Sequence, residues 1–163
     1  MTSIHESGLE GLDNAKSIVT SFVDDQMFGL PVLSVHDILR PQPLTRVPLA
    51  PNEVAGVLNL RGRVVTAVDM RRRLGLEEAD IAKAMSVVAV HNGEWYSLLF
   101  DQVGEVIPVD QVKLERNPPT LKDSWSKVSS CVAKLPDRLM VILDIASVLS
   151  IGNASLVASS ADA

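Results

Sequence analysis

GVLNLRGRVVTAVDM, residues 56–70, returns later in the chain as CVAKLPDRLMVILDI, residues 131–145. The two stretches align without a gap at an offset of 75 residues, placing Val57 on Val132, Leu60 on Leu135, Arg63 on Arg138 and Asp69 on Asp144. The segments upstream align as well. IVTSFVDDQMFGLPVLSVHDIL, from Ile18, lies on SVVAVHNGEWYSLLFDQVGEVI, from Ser86, at an offset of 68, which pairs Val35 with Val103 and Asp37 with Glu105. One unit is written twice, about 17–83 and about 84–150, so the fold of one half must also be the fold of the other.

Each unit reads as strands. Short β-branched runs are separated by DDQ or NGE and by LRG or LPD, combinations that favour tight hairpins. No segment holds a helical period for more than about three turns, which argues against a helical bundle and against alternating parallel α/β units. The expectation is a mainly β protein of two small antiparallel barrels from an internal duplication, with short helices after Asp69 and Asp144, whose carboxylates suit N-caps. The connections 40–55 and 108–130 carry prolines at 41, 43, 48, 51, 118 and 119, and are expected as surface loops outside any ladder. Runs such as VVTAV (64–68) and MVIL (140–143) are apolar at successive positions, so one face should fill its own barrel and the other pack on the sister barrel. Gly29, Gly56 and Gly62 are isolated and are read as bulges or turns needing a positive φ.

The 163 residues are 47% hydrophobic, enough for one domain of ordinary size, here 17–150, with a flexible tail at 1–16 and another at 151–163. The N-terminus has no basic stretch followed by an apolar one, and the uncharged run 145–161 is too polar for a membrane span, so a cytoplasmic protein without membrane insertion is expected. The single cysteine, Cys131, cannot form an internal disulfide and has no neighbouring base to activate it. Net charge is −5, yet 40–73 holds seven arginines against Glu53 and Asp69. That bipolar distribution suits docking on an acidic partner, or else reflects a solvated helix start at Arg71–Arg73.

Catalytic and metal chemistry find no support. His5, His36 and His91 lack ligand spacing, there is no nucleophile elbow, Gly-rich phosphate loop or HExxH, and repeat symmetry sends Asp37 and Glu105, like Asp69 and Asp144, to separate lobes. No cofactor is implied, and the chain is read as non-enzymatic. A small-barrel nucleic-acid binder is the alternative of another class. Against it stand the net negative charge and the absence of basic residues interleaved with aromatics.

FGLPVLSVHDIL, TRVPLAPNEVAGVLNLRGRVVTAVDMRRRLG, VGEVIPV and VAKLPDRLMVILDIASVL together resemble the CheW family of chemotaxis coupling proteins over about 17–149. The resemblance implies two five-stranded SH3-like barrels. It also implies a non-enzymatic adaptor joining the cytoplasmic tips of methyl-accepting chemoreceptors to the regulatory domain of the histidine kinase CheA, in membrane-associated arrays. A CheW-like scaffold of another chemosensory pathway, such as twitching motility or biofilm signalling, is the alternative within the family. Val35, Asp37 and Ile38 match the family's V-x-E-I element, with Asp for Glu; Gly56, Asn59, Leu60, Arg61 and Gly62 match G-V-x-N-L-R-G, associated with receptor and kinase contact. Thr66 and Cys131 depart from the family's usual proline and glycine. Arg61 falls at an outward-facing hairpin tip, and its repeat mate is Pro136, so the fold does not require the charge. Val35, Ile38 and Val103 are expected to line an apolar groove with Arg61 and Asp37 at its rim, or else simply to belong to the core.

Overall fold

The computed structural model describes residues 16–150; the tails expected at 1–16 and 151–163 lie outside the described residues apart from residue 16. The first half runs β1 (Ser17–Val23), β2 (Gln26–Pro31), β3 (Asp37–Leu39), β4 (Val54–Leu60), β5 (Arg63–Asp69) and helix α1 (Met70–Arg73). The second runs β6 (Met85–His91), β7 (Glu94–Phe100), β8 (Gln102–Pro108), β9 (Lys113–Glu115), α2 (Asp123–Ser126), β10 (Ser129–Lys134), β11 (Leu139–Leu143) and α3 (Ile145–Val148).

The hairpins form where the turn residues demand them. Leu60 pairs with Arg63 across Arg61 and Gly62, and both central residues have positive φ, 53° and 82°, as a two-residue turn matched to strand twist requires. Asn59 Oδ1 accepts from Gly62 N–H at 2.9 Å and fixes that tip. Asn92 and Gly93, at 53° and 78°, do the same between β6 and β7.

The duplication is visible in matching irregularities, although of the two expected N-caps only Asp69 accepts from its helix backbone, at Arg71 N–H, while Asp144 accepts from the Ser147 hydroxyl. A register shift between Val54 and Gly56 recurs between Ser129 and Cys131. Asp69 N–H donates to Glu53 O at 2.8 Å, and Asp144 N–H to Val128 O at 2.8 Å. The Thr45–Val57 bridge has its counterpart in Glu115 opposite Val132. Both pairings lie within the proline-bearing connections that were expected to stay outside the ladders: backbone on either side of the prolines still supplies donors and acceptors.

The halves nevertheless do not close separately. One sheet has the order β8-β1-β2-β11-β10-β9 and the other β3-β6-β7-β5-β4. Each takes its first two strands from one half and its remaining repeat strands from the other. The exchange joins β11 to β2 and β5 to β7 in parallel, so the barrels are mixed and not purely antiparallel.

Alternation along the strands then sorts the core into layers. Met140 and Ile142 join Ile18, Cys131 and Ala133 inside the first barrel-like sheet. Val65 and Ala67 join Leu58 and Leu99 inside the second. Val68, Val141 and Leu143 face the other way and meet Phe28, Leu30, Val87, Leu98 and Phe100 in a shared core between the sheets. Val64 departs from the expected burial, being 61% exposed on β5 ahead of the first β5–β7 pair, Thr66 with Tyr96. Gly29 lies inside β2 without a positive φ; a Cβ there would come within 2.6 Å of Ile18, so the requirement is for space.

Candidate functional site

The residues singled out from the sequence fall into two places. Val35, which ends the 3-10 turn Val32–Ser34, and Val103, on β8, are half-buried and pack against the shared core from corresponding positions in the two sheets. Ile38 is 39% exposed on β3, opposite the buried Val87. Val35 and Val103 thus sit partly buried at the margin of the shared core, as the core reading expects, whereas Ile38 is exposed and not part of it.

Asp37 and Arg61 begin at opposite margins of the second sheet, on β3 and at the β4–β5 tip. The sheet curls far enough to bring the Arg61 guanidinium within 3.6 Å of the Asp37 carboxylate. The Arg61 side chain is 78% exposed and Asp37 31%, so the pair is solvated and each partner remains open to outside groups. Gly56 stands below this tip with φ at 152°, and a Cβ there would sit 2.5 Å from Thr45 O. Asn59 and Gly62 hold the turn, and Leu60 packs inward against the second sheet's interior.

Three neighbours of this rim carried no motif. Arg63 lies over the Trp95 ring at 4.4 Å, and His36 meets the same ring edge-on at 4.3 Å. The cation and the ring together cover the end of the second sheet's interior. Its signal in the sequence was the repeated arginine: Arg138, aligned with Arg63, sits 5.9 Å over Phe22 in the other sheet.

The arginine excess is less available than its sequence suggested. Arg71 donates to Asp101 through Nε and Nη2 at 2.9 and 2.6 Å, to Asp24, and to Glu77 O at 2.8 Å. Arg73 donates to Val148 O and Ser147 O at 2.8 and 2.9 Å, satisfying the end of α3. Arg72 donates to Asn52 O at 3.0 Å and to Glu78 at 2.5 Å, while its Nε faces Asp69 at 3.5 Å, an ion pair too long for a hydrogen bond. The triplet therefore clasps the molecule to itself, correcting both the solvated-helix and the partner-docking expectation for these three residues.

Titratable groups are tuned structurally. The Arg71 hydrogen bond, and secondarily Asp24 N–H, hold the Asp101 carboxyl below its ordinary range against desolvation. Burial pushes Asp69 upward despite its bonds to the α1 backbone. Burial also pushes the Cys131 thiol up to about 11, the opposite of what a nucleophile needs. Asp37 and Glu105 lie on different sheets, as repeat symmetry required. Among the described residues no group of three or more His, Cys, Asp and Glu side chains could hold a metal ion, and no helix is long and apolar enough to cross a membrane.

Two interleaved barrel-like sheets over one shared core, with the solvated Asp37–Arg61 pair at the end of the second, define the class of this fold. The chain belongs to the CheW family of chemotaxis scaffold proteins: the family model for the CheW-like domain matches residues 17–152. A chemotaxis protein CheW of Helicobacter pylori is 32% identical over 128 residues, covering 78% of this chain and 77% of that protein. One from Bacillus subtilis is 26% identical over 139 residues, covering 85% and 89%. In fold, the chain is similar to the crystal structure of the scaffolding protein TtCheW from Thermoanaerobacter tengcongensis, with a TM-score of 0.69 and 24% identity over 79% of this chain and 88% of that one.

Proposed function

We propose that this protein is a non-enzymatic adaptor of the cytoplasm that joins the tips of chemoreceptors to the regulatory domain of the histidine kinase CheA, and so enters membrane-associated arrays. The observation that supports this reading is the solvated Asp37–Arg61 pair at 3.6 Å, with the exposed Ile38 beside Asp37 on β3 and Val35 and Val103 half-buried at the margin of the shared core; in this reading the three apolar residues line a trough. An apolar trough with a charged edge accepts one face of a partner helix. The Arg61 guanidinium, held outward by its tight turn, offers a planar fork of donors to a partner carboxylate. Gly56, Asn59, Leu60 and Gly62 position that fork.

Coupling needs two contacts at once. Each can be weak, because attachment to an array raises the effective concentration of the second partner.

The test is capture of the full chain by a receptor-tip fragment and by the kinase regulatory domain, separately and together. Wild type should bind each and bridge both. Arg61→Glu places a like charge beside Asp37 at an exposed position, and should weaken receptor binding by about 1 to 3 kcal/mol with unchanged melting. Unaltered binding of this variant would remove Arg61 from the site; failure of wild type to bind either fragment would defeat the adaptor reading.

A further inference from the structure

The chain enters β1 at Lys16 and Ser17, at one end of the first sheet. Lys16 O accepts from Val109 N–H at 2.8 Å, and Ile18 pairs with Pro31, where β2 gives way to the 3-10 turn Val32–Ser34. Residues 1–15 therefore join the described structure beside the segment 32–40, which leads through Asp37 and Ile38. Those fifteen residues reach about 50 Å when extended, and 32–40 spans at most about 30 Å, so all of that segment lies within range.

Two large apolar side chains of that segment stand in water. Leu33 is 70% exposed, and its repeat mate, at the offset of 68, is Asp101, so the duplicated unit does not require an apolar residue at this turn. Ile38 is 39% exposed on β3. Arg40, just past β3, is exposed and makes no hydrogen bond or ion pair through its side chain among the described residues. Arg61 adds a second exposed cation beside Asp37. Residues 1–15 have the complementary composition: Glu6, Glu10 and Asp13 alternate with Ile4, Leu9 and Leu12, with no Lys or Arg among them.

Carboxylates set among leucines are the chemistry that the trough and Arg61 would take from a partner helix. We propose that residues 1–15 dock across Leu33, Ile38 and Arg40 as an internal stand-in for that partner, and that a receptor tip must displace them. The competition rests on the adaptor reading; the contact itself does not. A short tether holds the segment at an effective concentration in the millimolar range, so a weak contact is populated enough to lower the apparent affinity for a partner. Asp37 opposes the acids locally, and salt screens attraction and repulsion alike, so the leucines supply the part of the contact that persists at high salt.

Two measurements on the full chain test it. With a nitroxide attached at Ser7→Cys, Cys131 being buried, the amide signals of Leu33, Ile38 and Arg40 should broaden in nuclear magnetic resonance spectra. Adding Leu9→Ser and Leu12→Ser to the same labelled chain should sharpen them again while melting stays that of wild type. Equal broadening with and without those changes, or none in either, overturns the docking. In titration with a receptor-tip fragment, unlabelled Leu9→Ser/Leu12→Ser should bind at least about threefold tighter than wild type, and Glu10→Lys/Asp13→Lys should do likewise. Equal affinities overturn the competition. The broadening is read without any partner, so its absence counts against the docking alone. Failure of every version to bind the receptor tip or the kinase regulatory domain defeats the adaptor reading, and the competition with it, and leaves the contact standing.

Discussion

At Gly56 a single hydrogen atom decides whether two segments can meet. The Thr45 carbonyl approaches to where a Cβ would lie at 2.5 Å, and the backbone φ of 152° is itself unfavourable for other residues. Gly56→Ala should cost about 2 to 3 kcal/mol in denaturant unfolding, with the loss centred on the β4–β5 hairpin in hydrogen exchange. Its repeat mate, Cys131, has no positive φ and is 1% exposed, so the same bulge is made there without a glycine. Cys131 should resist a thiol reagent at neutral pH in the folded protein and react once denatured, because burial keeps it protonated. That Arg61 falls at an exposed hairpin tip was legible from motif and repeat alignment together; its approach to Asp37 across the curled sheet, and its Trp95 and His36 neighbours, were not, since residues far apart in the chain give no spacing.

Among the elements, α1 shows what local sequence cannot report. MRRR reads as a charged surface turn, yet its arginines reach partners at Asp101 and at the carbonyls of 147 and 148. Nothing marks a backbone carbonyl some 75 residues away as a future acceptor, so this clasp had no signature. Its electrostatics have a defined sign. The Asp101 carboxyl is lowered in the folded state, so its contribution is present above the unfolded value, about 3.9, and is lost as pH falls through the folded value. Asp101→Asn should therefore melt below wild type at pH 7, and the gap should narrow as the pH falls below the unfolded value and through the lowered folded one. A constant gap across that range would contradict the role of Arg71. Arg73→Ala should lower stability by about 2 kcal/mol by leaving the last carbonyls of α3 short of donors.

For the whole molecule, the internal alignment foretold two equivalent sheets but not their composition. Apolar alternation says which face of a strand is hidden and says nothing of which neighbour it pairs with. When both halves carry the same pattern, pairing within a half and between halves satisfy it equally. The structure takes the crossed solution, with β1 and β2 beside β10 and β11, and β6 and β7 beside β4 and β5. Separately expressed residues 1–83 and 84–163 should each remain unfolded and regain structure when mixed. The intact chain should unfold in one transition and refold slowly, as sheets built from distant segments do. Two separate melting transitions would contradict that interdependence.

The crossed pairing also bears on descent. Two free copies of one half could build this whole architecture as an entwined homodimer, each lending its opening hairpin to the other, with only the linkage between α1 and β6 to be added. Tandem fusion would then have freed the two ends to diverge, which is how one tip can carry Arg61 and the other Pro136.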